Sequence, residues 1–341
     1  MKIVQFITSL DSGGAEKIAC ELASQNLNGC SQEILVLRNS GKYLDSISPK
    51  IKIKKLNFFR YLEYIFNRKS IVIHSHLYHS HLMSFLFFIA GIKVIWTIHT
   101  SFQTPSFLAK SLSLFSRFLP GKIIYVSNQI RDDYEFIGFK KEVGMTIPNG
   151  VEKASNYPNK LLSFVSSSIN ICMVCRYHPV KGYDRFFKIA SALIRLDKNA
   201  VFWLIGKHNT YENLQLKADL YRYGLSNNVV LLGEVLKWRE VLPRFDLLVS
   251  TSYSEAFGLT ILEGLFSRIN VSSIDLPVID EILGEYSVND KYHSDAELAK
   301  KWLDKAKTPV SNEVVSILED KYSVDRMVEM YNKVYQELSF A

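Results

Sequence analysis

Leu247-Leu248-Val249-Ser250-Thr251-Ser252-Tyr253-Ser254-Glu255-Ala256-Phe257-Gly258-Leu259-Thr260-Ile261-Leu262-Glu263-Gly264-Leu265-Phe266-Ser267-Arg268-Ile269-Asn270-Val271-Ser272-Ser273 reads as strand, loop, helix and strand. The stretches over 247–250 and 269–273 have the length of strands. A helix starting near Leu259 turns Ile261, Leu262, Leu265 and Ile269 toward a sheet, and Thr260, Glu263 and Ser267 form a polar stripe. That stripe aims Glu263 toward a cleft, while Glu255 stands in the loop before the helix. Strand, helix and strand in this order are the unit of a parallel sheet wrapped by helices.

The alternation continues on both sides of this unit. Upstream, strand-like runs at 169–175, 201–205 and 229–232 are separated by helical patterns near 185–196 and 212–223, with a further helix expected over 238–245. Nearer the amino end, strands at 3–7, 34–37, 71–74, 94–98 and 123–126 alternate with helices at 15–26, 79–90 and 107–118. The series divides at Ile147-Pro148-Asn149-Gly150-Val151 and the polar stretch from Ser155 to Lys160, which are rich in turn formers. Two doubly wound α/β units in tandem are expected, over 1–155 and 160–320, which suits a chain of 341 residues. A last helix begins at Ser323 and places Met327, Met330, Val334 and Leu338 at helical spacing.

Composition places the chain among ordinary globular proteins, with 48% hydrophobic and 22% charged residues. The 4 cysteines read as reduced thiols: Cys172 and Cys175 fall three apart in a strand and point to opposite faces, which is poor geometry for one metal ion. Met1-Lys2-Ile3-Val4 reads directly as a strand with no signal peptide before it, so a reducing, cytoplasmic compartment is expected. The apolar stretch Leu82 to Trp96, broken by Gly91 and Lys93, falls short of the roughly 20 residues that span a bilayer, and reads as a buried helix, a turn and a strand.

The net charge of +7 is uneven: residues 1–160 carry 20 basic against 11 acidic side chains, and the remainder 21 against 23. Within 50–69, Lys50, Lys52, Lys54, Lys55, Arg60, Arg68 and Lys69 interleave with Phe58, Phe59, Tyr61, Tyr64 and Phe66. This mixture suits an anionic membrane surface, and equally a solvated basic face whose aromatics point inward. No nucleic-acid partner is expected.

In an open parallel sheet, ligands sit at the carboxyl ends of the strands, and the residues there carry the chemistry. Gly13-Gly14 opens the first helix, where glycine admits close approach of a ligand and free amides favour phosphate, although a tight turn needs glycine too. Arg176 and Lys181, on the loop after the strand over 169–175, could grip a diphosphate by fork and point charge. Glu255 and Glu263 flank the helix amino terminus formed by Phe257, Gly258, Leu259 and Thr260, where a diphosphate could rest while a carboxylate accepts from sugar hydroxyls. His74, His76, His79 and His81 invite a metal reading, but strand alternation and the following turn are expected to splay them, so no metal site is expected.

Gly13-Gly14, His99, Asn149-Gly150-Val151, Arg176 with Lys181-Gly182, and Glu255 with Phe257-Gly258 and Glu263 occur in the order that resembles the large retaining glycosyltransferase family 4. The resemblance implies the GT-B fold, two Rossmann-like domains facing each other across a cleft, with a nucleotide-sugar donor held mainly by the second. It implies no metal ion and no covalent cofactor. Arg176 and Lys181 would stabilise the departing diphosphate, Glu263 would take the ribose hydroxyls, Glu255 the donor sugar, and Gly14 would admit the phosphate or acceptor. His99 would lie beside the sugar, so His99 and Glu255 are the catalytic candidates, and the helix from Ser323 would return residues 322–341 to the first domain. The expected reaction is sugar transfer with retention, from UDP rather than GDP by default, to a lipid-linked saccharide in surface polysaccharide, lipopolysaccharide or O-antigen assembly at the inner face of the membrane. The alternatives are a sugar-nucleotide epimerase and a non-catalytic binding subunit.

The chain departs from the family pattern at three places. Arg268, Asn270 and Ile274-Asp275-Leu276-Pro277 stand where a glycine, a proline and a glycine-rich turn are usual, Gly206-Lys207-His208 replaces an acidic glycine-rich turn, and Thr100 replaces a frequent aspartate.

Overall fold

The computed structural model describes residues 1–11, 13–25, 30–38, 51–118, 121–153, 168–235, 237–286 and 288–340. Lys50 and the stretch from Ser155 to Lys160 lie outside the described residues. The chain forms two compact units, Met1–Gly150 with Tyr322–Ala341, and Val151–Lys321.

The amino-terminal unit is a seven-stranded sheet in the order β3-β2-β1-β4-β5-β6-β7, parallel throughout. Its strands are β1 (Lys2–Ile7), β2 (Ser31–Val36), β3 (Lys52–Lys55), β4 (Ile71–His76), β5 (Lys93–Ile98), β6 (Lys122–Tyr125) and β7 (Gly144–Thr146). Helices α1 (Gly14–Ser24), α2 (Phe58–Phe66), α3 (Tyr78–Ile89), α4 (Phe107–Ser116) and α5 (Asn128–Phe136) connect them. Strand alternation decides what each face holds. Phe6, Ser75 and Trp96 face α3, where Phe6 meets Phe87 edge-on and the Trp96 indole donates to Ser84 Oγ at 2.8 Å. Gln5, His74, His76 and Thr97 face the opposite side, which is covered by the last helix of the chain (Val324–Phe340).

That last helix is capped as its sequence suggests, Ser323 Oγ accepting from the Arg326 amide at 3.2 Å. It is fastened to the amino-terminal unit by Tyr331 and Tyr335, and by Lys93 Nζ on the Leu338 carbonyl at 2.6 Å.

The helix within Leu82–Trp96 is not the buried helix expected. Among its buried side chains are Ser80, His81 and Ser84, whereas Leu82, Leu86 and Ile89 are exposed. The inversion arises because Ser75, His81, Ser84 and the Trp96 indole satisfy one another in the interior, which makes those polar groups the better buried face.

The carboxy-terminal unit is a six-stranded parallel sheet in the order β10-β9-β8-β11-β12-β13. Its strands are β8 (Asn170–Val174), β9 (Val201–Ile205), β10 (Val229–Gly233), β11 (Leu247–Ser250), β12 (Asn270–Ile274) and β13 (Asn289–Asp290). Helices α6 (Tyr183–Leu196), α7 (Leu214–Arg222), α8 (Leu259–Phe266), α9 (Pro277–Leu283), α10 (Asp295–Ala306) and α11 (Asn312–Lys321) wrap it, and the chain's last helix is α12. Ile171, Met173, Phe186, Phe187, Phe202 and Trp302 form the centre of its core. The helix expected over 238–245 is instead two short 3-10 turns, Trp238–Glu240 and Leu242–Arg244, because Pro243 cannot supply an interior helical amide.

Candidate functional site

In the carboxy-terminal sheet the strand order reverses between β8 and β11, which opens a crevice at their carboxyl ends. The loop after β8 carries Arg176 and Lys181, and the loop after β11 carries Glu255. Three contacts lock these loops together. The Tyr253 amide donates to the Val180 carbonyl at 2.8 Å, Thr251 Oγ1 donates to the Lys181 carbonyl at 3.1 Å, and Lys181 Nζ meets Glu255 Oε1 at 2.6 Å. Gly182 makes this approach possible. It holds φ at +66°, and a Cβ there would stand 1.9 Å from the Thr251 carbonyl oxygen.

Ser252 Oγ also donates to Glu255 Oε1, at 2.7 Å, so this carboxylate is oriented by two donors. Burial pushes the Lys181 ammonium down, but Glu255 beside it more than reverses this and holds the group above the usual lysine value. Lys181 therefore stays charged. Arg176 is exposed, and its guanidinium has no hydrogen-bond or ion-pair partner among the described residues. The β8 loop thus presents one fixed ammonium and one guanidinium without a partner among the described residues, the point charge and the planar fork by which cations can grip phosphate oxygens.

Helix α8 follows from Gly258, which caps it at φ +85° without any side-chain hydrogen bond. The amides of its first turn lie next to the Glu255 loop. The polar stripe expected on this helix is not a solvent face: Ile261 through Ser267 are all buried, and Glu263 is 3% exposed. Glu263 lies beside Arg239, whose Nε is 3.9 Å from Glu263 Oε1. Nothing in the sequence around Trp238-Arg239-Glu240 marks this arginine, and Ser252 was equally invisible.

In the amino-terminal unit the order reverses between β1 and β4. Gly13, after β1, is extended at φ −162°, and Gly14 is not in the left-handed region either. Neither glycine is therefore required by a left-handed backbone, although a Cβ at Gly13 would stand 2.4 Å from Glu16 Oε2. His99 follows β5, and its Nε2 is 2.9 Å from His76 Nδ1, with the rings stacked.

The expected splaying holds for His81 and the exposed His79 but not for His74 and His76. Residues two apart on a strand share a face, so the His74 and His76 rings lie 4.3 Å apart, while His81 bonds Ser75 on the other side. His76 Nε2 meets Gln5 Oε1 at 2.9 Å, and His74 sits between Tyr335 and Thr97. Burial lowers all four imidazoles, His74 and His76 well below the usual histidine value and His81 and His99 to about 3. Among the described residues no group of three or more histidine, cysteine or acidic side chains is arranged to hold a metal ion.

Three residues at the departures from the family pattern have left-handed backbone. Arg268, Asp275 and His208 stand at φ +60°, +41° and +67°, the region glycine enters most easily. An open cavity of about 580 Å³ beside the His208 loop is lined by Tyr177, His208, Thr210, Glu212, Asn213 and Leu214.

Residues 162–323 match the family described as glycosyl transferases group 1, and residues 13–154 match the one described as Glycosyltransferase Family 4. This is a chain of the glycosyltransferase family 4 type. Human phosphatidylinositol N-acetylglucosaminyltransferase, in one of its subunits, is 27% identical to this family 4-type chain over 294 residues, 82% of this chain and 60% of that protein. The lipopolysaccharide core biosynthesis mannosyltransferase LpcC of Rhizobium leguminosarum bv. viciae is 34% identical over 114 residues, 32% of each chain. The chain thus spans less than two thirds of either relative. The crystal structure of Anabaena Alr3699/HepE in complex with UDP and glucose superposes with a TM-score of 0.82 at 16% identity, over 99% of this chain and 100% of that one. The family 4-type chain therefore has the GT-B fold, with two Rossmann-like units.

Proposed function

We propose that the chain is a retaining hexosyltransferase that takes a sugar from a UDP-sugar and needs no metal ion. The observation that carries this is the Lys181–Glu255 pair beside unpaired Arg176 at the switch point of the carboxy-terminal sheet. In the proposed reaction the bond from the anomeric carbon to the diphosphate oxygen breaks. The acceptor oxygen bonds that carbon on the same face, and the acceptor proton passes to the departing diphosphate. Charge builds on the diphosphate, where Arg176, Lys181 and the α8 amides would meet it. Glu255, held by Lys181 and Ser252, would accept from the donor sugar's hydroxyls, and Glu263 from the ribose. UDP in the cyanobacterial structure of the same fold supports the choice of nucleotide.

Release of UDP from UDP-hexoses in the presence of EDTA tests this reading. Turnover that survives EDTA and drops at least a hundredfold in Glu255→Ala is expected; turnover restored only by divalent metal would defeat the metal-free mechanism.

The acceptor we propose is a saccharide on a lipid, in surface polysaccharide assembly, reached at the cytoplasmic face of the membrane. The names of both relatives, one acting on phosphatidylinositol and one in lipopolysaccharide core synthesis, support this. So does the surface of α2, α3 and α4. Tyr61 on α2 donates to the Leu86 carbonyl on α3, and Phe85 on α3 packs against Phe115 on α4, so the three helices lie side by side. They expose Phe59 at 81%, Phe66 at 85%, Ile89 at 68% and Phe107 at 88%. Tyr64 alone of the aromatics in 58–66 is fully buried. Lys52, Lys55, Arg68 and Lys69 are exposed without an ion-pair partner among the described residues. Apolar rings among free cations fit an anionic bilayer. No helix among the described residues is long and apolar enough to cross a membrane. Co-sedimentation with phosphatidylglycerol vesicles is expected to exceed that with phosphatidylcholine, and to fall at least tenfold when Phe58, Phe59 and Phe66 are changed to serine. Binding that ignores both changes would remove the bilayer from the proposal.

A further inference from the structure

Arg239 is 8% exposed on the 3-10 turn Trp238–Glu240, and its guanidinium is divided between two acids. Nη1 donates to Glu152 Oε2 at 2.7 Å and Nη2 to the Glu152 main-chain oxygen at 2.6 Å. Nε is buried, makes no hydrogen bond, and stands 3.9 Å from the Glu263 carboxylate. The planar fork is what allows this: two nitrogens fasten the group to Glu152, just past the boundary at Gly150, and the third side is left to Glu263. A lysine has only a point charge for the same task.

Glu263 is buried, and an ionised carboxylate is held in such a place only beside a compensating charge. We propose that Arg239 is a positioning residue for donor binding, the cation that holds Glu263 aimed so that it accepts the ribose hydroxyls of the nucleotide. This rests on the reading of Glu263 given under Proposed function. The Glu152 clamp fixes where the guanidinium stands, so the aim of Glu263 is set by a residue that never touches the nucleotide.

The test is calorimetric titration of the whole protein with UDP, GDP and the 2′,3′-dideoxy form of each. The wild type is expected to prefer the ribose form by about tenfold, the worth of a hydrogen bond to a charged group. Arg239→Met is expected to lose that preference while binding the dideoxy form within about twofold of the wild type, and Arg239→Lys to recover part of it. A merely structural role would weaken both forms alike. Arg239→Gln, which keeps a donor for the Glu152 carbonyl but no charge, replaces the methionine variant if that protein does not fold. Preference lost in Glu263→Gln but kept in both uncharged Arg239 variants would overturn the inference and leave the ribose reading standing. Preference kept in Glu263→Gln, or no binding of any of the four nucleotides, would overturn the ribose reading and the inference with it.

Discussion

Lowering the pH from 7.5 to 5 is expected to unfold the amino-terminal unit, with residues 324–340, while the carboxy-terminal unit keeps its structure. The cause is His74, His76, His81 and His99, all held below the usual histidine value by burial, with neighbouring imidazoles adding to the effect at the first three. Their partners are hydroxyls, an amide and one another: Tyr335, Thr97, Ser75 and Gln5. A histidine whose folded pKa is depressed binds its proton more readily when unfolded, so stability is lost as pH falls below about 6.5, continuing toward the folded pKa. Each contributes about 1.4 kcal/mol per pH unit in that window. Four would reach about 5 kcal/mol per unit as an upper bound, since contacting groups do not add, against a typical total of about 5–15 kcal/mol. Glu33 acts in the same direction at lower pH. Burial raises its carboxyl, but hydrogen bonds from Tyr64 and Lys54 and the charge of Lys2 outweigh this and hold it low. Hydrogen exchange resolved by peptide, corrected for intrinsic rates, is expected to find protection lost in 1–150 and 324–340 first. Equal protection of both units at pH 5 would show that the buried imidazoles are compensated.

Lys181→Met is expected to lower donor turnover by about a thousandfold, roughly 4 kcal/mol of transition-state stabilisation, with the protein still folded. Two losses combine. The diphosphate loses its fixed ammonium, and Glu255 loses the donor that orients it at 2.6 Å, retaining Ser252 alone. Because the two groups act as a unit, Lys181→Met with Glu255→Gln should cost far less than the product of the single effects. Donor affinity and turnover should separate in the other pair of variants, Glu263→Ala weakening nucleotide binding and Glu255→Ala chiefly lowering turnover. Additive losses in the double variant would mean that Lys181 and Glu255 serve separate steps.

The strands of both sheets were legible because parallel strands are continuous apolar runs, and Val201–Ile205 and Leu247–Ser250 fall where the sequence puts them. β3, β7 and β13 were not: Lys52-Ile53-Lys54-Lys55 is an edge strand whose side chains are mostly basic, and β7 and β13 are edge strands of 3 and 2 residues, too short to show a pattern. Pro243 breaks the helix that the apolar residues around it suggest. Helix α3 misled because hydrophobicity says where a helix is, not which side a core of hydroxyls and imidazoles will prefer. In the site, the glutamates and cations were found by their positions after strands, a rule of topology. Ser252 and Arg239 were not, since each acts through a carboxylate that no local pattern ties to it, and sequence spacing does not record which acid a cation or hydroxyl will meet.

Calorimetric titration with UDP and GDP, without added metal, reaches the donor site with no knowledge of the acceptor. Micromolar binding of UDP, weakened at least tenfold by Arg176→Ala, is the expected result, since that guanidinium is exposed with no partner among the described residues. Binding of neither nucleotide, or binding indifferent to Arg176, would contradict a donor site between β8 and β11.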